Sequence, residues 1–181
     1  MSEALDLLVR GGTYFDGTGA PGVCADVGIA GGRVVAVAGP GDAPLVAGPA
    51  TEVVDATGRW VMPGFVDAHT HYDAEVQVAP GLNESVRHGV TTVLMGNCSI
   101  SAVYSSPTDA ADLFSRVEAL PRPHVLAAFE QEKTWTTPQE WVDALERKPL
   151  GPNVATFLAH SDVRAAVMGL GRATDDAHRA S

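Results

Sequence analysis

Apolar residues fall into two rhythms along this chain. From Asp6 to Asp55 they come in short β-branched runs broken by closely spaced glycine and turn residues, which predicts small antiparallel strands. Ala25 to Ile29 and Arg33 to Ala38 alternate on either side of Ala30-Gly31-Gly32, the pattern of a hairpin with a glycine turn. Glu52 to Asp55 predicts a further strand closed by Ala56-Thr57-Gly58, and the Gly-, Ala- and Pro-rich patch from Ala38 to Ala50 predicts a loop.

After Trp60 the rhythm becomes strand, helix, strand, which signals βα units around a parallel sheet. Gly64 to Asp67 is short and apolar, as expected of a strand buried on both faces. A helix is predicted over Leu82 to His88, stopped by Gly89, where glycine can take the left-handed conformation that ends helices. Val90 to Met95 reads as the second strand of this region and Asp109 to Leu120 as a helix. Thr137-Pro138-Gln139-Glu140 opens another helix, with a capping-box pattern and proline in the first turn. Val154 to Ala159 reads as the third strand, with His160 at its end. The organisation expected is therefore a β-rich segment over 1–60 and a βα region over 61–181.

Composition narrows the function. With 181 residues, 45% hydrophobic and 19% charged, the chain can bury a core. A net charge of −10 and only 12 Lys and Arg residues argue against nucleic acid, whose phosphates require a concentrated basic face. No apolar run approaches the length of a membrane span, and the start MSEALDLLVRGG lacks the basic region and apolar core of a signal peptide. A cytoplasmic location with no membrane partner is expected. Cys24 and Cys98 are too few for a disulfide framework, and Cys24 reads as a packing residue.

The candidate chemistry lies in GFVDAHTHYD, Gly64 to Asp73, a strand that ends in two histidines separated by one residue. Side chains at i and i+2 of a strand share a face, so His69 and His71 can present two imidazoles to one ion while Thr70 faces elsewhere. Neutral imidazole is a good zinc ligand, and zinc can make hydroxide available near neutral pH, which points to metal-assisted hydrolysis. Asp67 shares that face and is read as supporting a histidine or the next strand from behind. His160 is a candidate for lining the same mouth, His88 sits near a helix end as a structural residue, and His124 and His178 carry no signal.

The run Trp60-Val-Met-Pro-Gly-Phe-Val-Asp-Ala-His-Thr-His resembles the first barrel strand of the amidohydrolase superfamily. Its continuation into Tyr72-Asp73, the run from His88 through Gly-Val-Thr-Thr-Val to Gly96-Asn97-Cys98, and Ala159-His160-Ser161-Asp162-Val163-Arg164 up to Val167-Met168-Gly169 resemble the D-aminoacylase (N-acyl-D-amino-acid deacylase) family. Two positions depart from that pattern: Ala159 replaces its first glycine, and Ser99 stands where glycine usually follows the cysteine. The similarity is collinear from about Leu5 to Gly169.

The resemblance implies an α/β fold: the N-terminal part of a TIM-like (β/α)8 metal-dependent hydrolase barrel, preceded by a small β-sandwich segment. It implies that Cys98 joins His69 and His71 as a thiolate ligand to Zn²⁺, with Asn97 beside it. The activity implied is zinc-dependent hydrolysis of a non-peptide carbon–nitrogen bond, the deacylation of small-molecule N-acyl-D-amino acids. A closed barrel needs roughly 200 residues or more, so the stretch after Gly64 is expected to hold only about three of eight βα units. The family's general-base Asp and further histidine ligands are expected beyond Ser181, making the chain a fragment, inactive alone and prone to self-association through exposed strands. Two rivals remain: a dihydropyrimidinase-like cyclic amide hydrolase, disfavoured by Gly-Asn-Cys after the second strand, and a non-catalytic truncated remnant.

Overall fold

In the computed structural model, which describes residues 4–169, the chain divides between Pro63 and Gly64 into two units. The first is a five-stranded mixed sheet of β1 (Leu7–Tyr14), β2 (Val23–Ala30), β3 (Arg33–Ala38), β4 (Glu52–Asp55) and β5 (Trp60–Val61). The strand order is β3-β2-β1-β4, with β5 also paired to β1. The predicted hairpin is present: β2 and β3 run antiparallel through Gly31 and Gly32, whose φ values of 55° and 72° are those a two-residue hairpin turn demands. β4, expected to be antiparallel, instead pairs parallel with β1, and so does β5, a strand the sequence pattern did not single out. The cause is the loop over 39–51, which carries the chain back so that Glu52 enters level with Leu7. Leu8, Ala25, Val27, Ala30 and Ala56 form the buried side of this unit. Cys24, read from sequence as a packing residue, is exposed and unpaired, because it falls on the opposite face of β2 from Ala25.

The second unit is a three-stranded parallel sheet, β6 (Phe65–Asp67), β7 (Val90–Met95) and β8 (Asn153–Thr156), in the order β6-β7-β8. Short helices α1 (Glu75–Val78) and α2 (Asn83–Arg87) connect β6 to β7. Helices α3 (Pro107–Val117), α4 (Arg122–Glu132) and α5 (Pro138–Glu146) connect β7 to β8, and α6 (His160–Met168) follows. The predicted capping box is formed at α5, where Thr137 Oγ1 accepts from the Glu140 amide and Glu140 accepts in return from the Thr137 amide. α4 escapes prediction because Pro121 and Pro123 look like breakers, whereas proline at a helix start forfeits no hydrogen bond.

The core of this unit gathers Met95, Phe114, Phe129, Trp135 and Trp141 beside β7. The buried Trp135 indole donates to Ala102 O at 2.9 Å, which meets the hydrogen-bonding need of an indole N–H taken out of water. Two expectations fail here. Phe65 and Val66 are 56% and 61% exposed, so β6 is not buried on both faces; its outer edge has no neighbouring strand among the described residues. The third strand ends at Thr156, and His160 opens α6 as an exposed residue. Apolar Phe157, Leu158 and Ala159 continue the strand pattern in sequence, but the helix starts as soon as Asp162 is captured by a neighbouring loop. Among the described residues no helix is long and apolar enough to cross a membrane. The polar stretch after Gly169, including His178, lies outside the described residues.

Candidate metal centre

Asp67 closes β6. Its Oδ1 accepts a hydrogen bond from the His69 amide at 3.2 Å, turning the chain out of the sheet. Thr70 then turns inward and is buried: its amide and its hydroxyl both donate to Leu94 O, at 3.0 and 2.7 Å. With Thr70 fixed in this way, the imidazoles of His69 and His71 come together with ring centroids 5.3 Å apart in an edge-to-face arrangement. The carboxylate of Asp67 thus acts on backbone and not on an imidazole ring.

The third donor arrives from the loop after β7. Gly96 has φ 78°, and a Cβ there would lie 2.3 Å from Phe157 O, so only glycine lets the chain pass the residue that follows β8 this closely. Asn97 Nδ2 donates to Leu94 O at 2.9 Å, which makes Asn97 a tie to the strand. Cys98 and Ser99 both take left-handed backbone conformations, φ 49° and 69°. The result is that Cys98 Sγ lies 3.0 Å from His69 Nε2.

His69, His71 and Cys98 each offer one ligand atom, and these atoms lie within 4.8 Å of one another. Two imidazoles and a thiol are a donor set suited to zinc, for which N and S bond lengths of about 2.0–2.3 Å require neighbouring donors about 3.3–3.8 Å apart. His71 adds a second sign of fit: its Nδ1 is buried without a hydrogen-bond partner, and a nearby cation would give an uncompensated ring a partner. His71 Nε2 lies 3.9 Å from Glu118 Oε1, a carboxylate at the end of α3 that the sequence pattern did not single out. His160, expected near this mouth, is not in the cluster; neither is His88, which caps α2 and faces Glu84 at 3.9 Å, nor His124 inside α4.

Behind the cluster lie charged groups that sequence did not reveal. Asp73 is fully buried, and neither carboxylate oxygen has a hydrogen-bond partner. Burial lifts its carboxyl to about 7; the backbone near Ala102 and Gly96 pulls the other way without reaching hydrogen-bond geometry. Asp162 is equally buried but fully supplied, accepting four hydrogen bonds from residues 101–105. Lys133 donates to Ala102 O and Val103 O at 3.1 and 2.8 Å, and burial lowers its ammonium to about 8 against the upward pull of the Asp162 and Glu140 carboxylates. Both aspartates fall inside motifs that sequence could see, Asp73 after His-x-His and Asp162 after His160, but the burial of the one and the distant partners of the other are set by the fold.

Residues 52–177 match the sequence pattern of a family described as the amidohydrolase family. An uncharacterized protein of Mycobacterium tuberculosis is 58% identical over 174 residues, covering 96% of this chain and 28% of the relative. A solved structure of D-aminoacylase superposes with a TM-score of 0.72 at 33% identity, over 91% of this chain and 31% of that one. A second, the N-acyl-D-glutamate deacylase of Bordetella bronchiseptica complexed with zinc and a phosphonate mimic of the tetrahedral intermediate, superposes with a TM-score of 0.66 at 32% identity, over 92% of this chain and 32% of that one. The chain therefore spans about three tenths of the length of these relatives.

Proposed function

The chain belongs to the amidohydrolase family, and from that premise we propose that it supplies the His69–His71–Cys98 metal site of a zinc-dependent hydrolase that deacylates N-acyl-D-amino acids. The observation that carries this reading is the convergence of two imidazoles and a thiol from two separate loops at the ends of adjacent parallel strands. Active sites of (β/α)8 enzymes lie at the C-terminal ends of their strands. On this reading β6, β7 and β8 are three strands of such a barrel, and β1 to β5 belong to a flanking β-sandwich.

Zinc held by His69, His71 and Cys98 would supply Lewis acidity toward an amide carbonyl and make hydroxide available near neutral pH. The chain's own residues prepare the site. Asp67 and Thr70 fix the backbone that carries the two imidazoles, and Asn97 fixes the one that carries the thiol. Glu118 Oε1 stands 3.9 Å from His71 Nε2, at the edge of the donor cluster. The zinc-bound deacylase of Bordetella bronchiseptica supports both the metal and the class of substrate.

Metal analysis of the purified chain tests the assignment. Zinc is expected at the site, and His69→Ala, His71→Ala and Cys98→Ser are each expected to weaken its binding tenfold or more, because a hydroxyl or methyl replaces a donor of the set, by an order-of-magnitude estimate. Zinc content and affinity unchanged in all three variants would sink the assignment.

A further inference from the structure

Resting on the metal-site reading above, we propose that Asp162 is a positioning residue that holds Cys98 in place beside His69. Cys98 and Ser99 are consecutive non-glycine residues at positive φ, each a strained conformation that persists only where the surroundings enforce it. Within the loop itself the local bond across the pair is Ile100 N to Asn97 O at 3.0 Å. The enforcement comes from the start of α6. Asp162 Oδ2 accepts from Ser101 Oγ, Val103 N and Tyr104 N, each at 2.9 Å, and Oδ1 accepts from Ser105 N at 2.7 Å. All four donors belong to the stretch that begins two residues after the strained pair.

The neighbouring residue reaches the strained pair itself. Ser161 N donates to Ser99 O at 2.8 Å and to Ser99 Oγ at 2.9 Å, and the two hydroxyls are 2.9 Å apart. Asp162 is fully buried, so its charge is tolerable because it accepts four hydrogen bonds, and Lys133 supplies the balancing charge from the carbonyl side of the same loop. Asparagine has the same shape but cannot substitute in charge or in hydrogen bonding. It offers one acceptor oxygen, and its NH₂ would face backbone N–H donors. The hydrogen bonds thus tie a loop that would otherwise relax, and the donor that relaxation would displace is Cys98.

Two readouts test this in the 181-residue chain with Asp162→Asn, and with Ser101→Ala and Ser99→Gly as milder variants. The first is Co²⁺ binding followed by thiolate-to-cobalt charge-transfer absorption, a signature that a general loss of stability does not remove from a folded protein. The second, on metal-free protein, is the nuclear Overhauser contact between the His69 ring protons and the Cys98 β protons. Asp162→Asn should remain folded, lose the charge-transfer band and the Overhauser contact, and bind Co²⁺ about tenfold or more weakly, the usual cost of removing a residue that orients a ligand.

A folded Asp162→Asn with both signals intact and Co²⁺ affinity within about twofold of the parent would overturn the proposal. If Asp162→Asn does not fold, the milder variants decide on the same two signals: weakening supports the proposal, and unchanged signals in both overturn it. A parent protein that shows no charge-transfer band would refute the metal site, while the Overhauser contact would still decide whether Asp162 holds Cys98.

Discussion

Asp73 illustrates how a single residue can set the pH response of a fold. Its carboxyl is lifted by burial to about 7 from an ordinary 3.8, so the folded chain keeps the proton that the unfolded chain releases near pH 4. The unfolded state therefore binds fewer protons between about pH 4 and pH 7, and stability falls as pH rises through that window, levelling off above it. At 1.36 kcal/mol per pKa unit the loss is at most about 4 kcal/mol. Asp73→Asn carries no such proton and should lose less stability on going from pH 5.5 to pH 8, as measured by urea unfolding of the metal-free protein. Equal losses in the two proteins would show that Asp73 does not titrate in the fold. At this scale the three donors that cluster were legible in sequence, His69 and His71 because His-x-His is a local pattern and Cys98 through the resemblance carried by Gly-Asn-Cys. Asp73 and Asp162 were not, since Asp73 is notable for burial without a partner and Asp162 for burial with partners drawn from far along the chain.

At the scale of elements, β7, the β2–β3 hairpin and the α5 capping box were readable because their signals lie within a few residues. The parallel entry of β4 and the early end of β8 were not, because each depends on where a loop returns the chain. Gly96 joins the two kinds of information: its sequence says only glycine, and the fold says why. With φ 78° and a Cβ position 2.3 Å from Phe157 O, Gly96→Ala must both strain its own backbone and push aside the backbone of Phe157, just after β8. The expected cost is at least about 2 kcal/mol in chemical denaturation, with loss of metal affinity because Cys98 lies two residues on. A denaturation midpoint unchanged by the substitution would contradict the close approach of Gly96 to Phe157.

At the scale of the whole molecule, apolar side chains remain in contact with water on both units: Val34, Val35, Val37, Val53 and Val54 on the first, Phe65, Val66, Phe157 and Leu158 on the second. Such surfaces, together with the unpaired outer edge of β6 among the described residues, favour association. The expected outcome is a sedimentation profile that shifts to larger species with protein concentration, and Phe65→Ser with Val66→Thr should move it back toward monomer without altering the metal content. A concentration-independent monomer would rule out this edge as a contact surface.

Leu94 O receives three hydrogen bonds, from the Thr70 amide, the Thr70 hydroxyl and Asn97 Nδ2. One atom of the central strand is therefore the datum from which both ligand loops are measured, Thr70 standing between His69 and His71 and Asn97 next to Cys98. Displacement of that strand is common to the two loops and cancels in the separation of His69 Nε2 from Cys98 Sγ. The spacing of these donors is thereby referred to a single backbone atom, much as two gauges zeroed on one mark keep their difference when the mark moves.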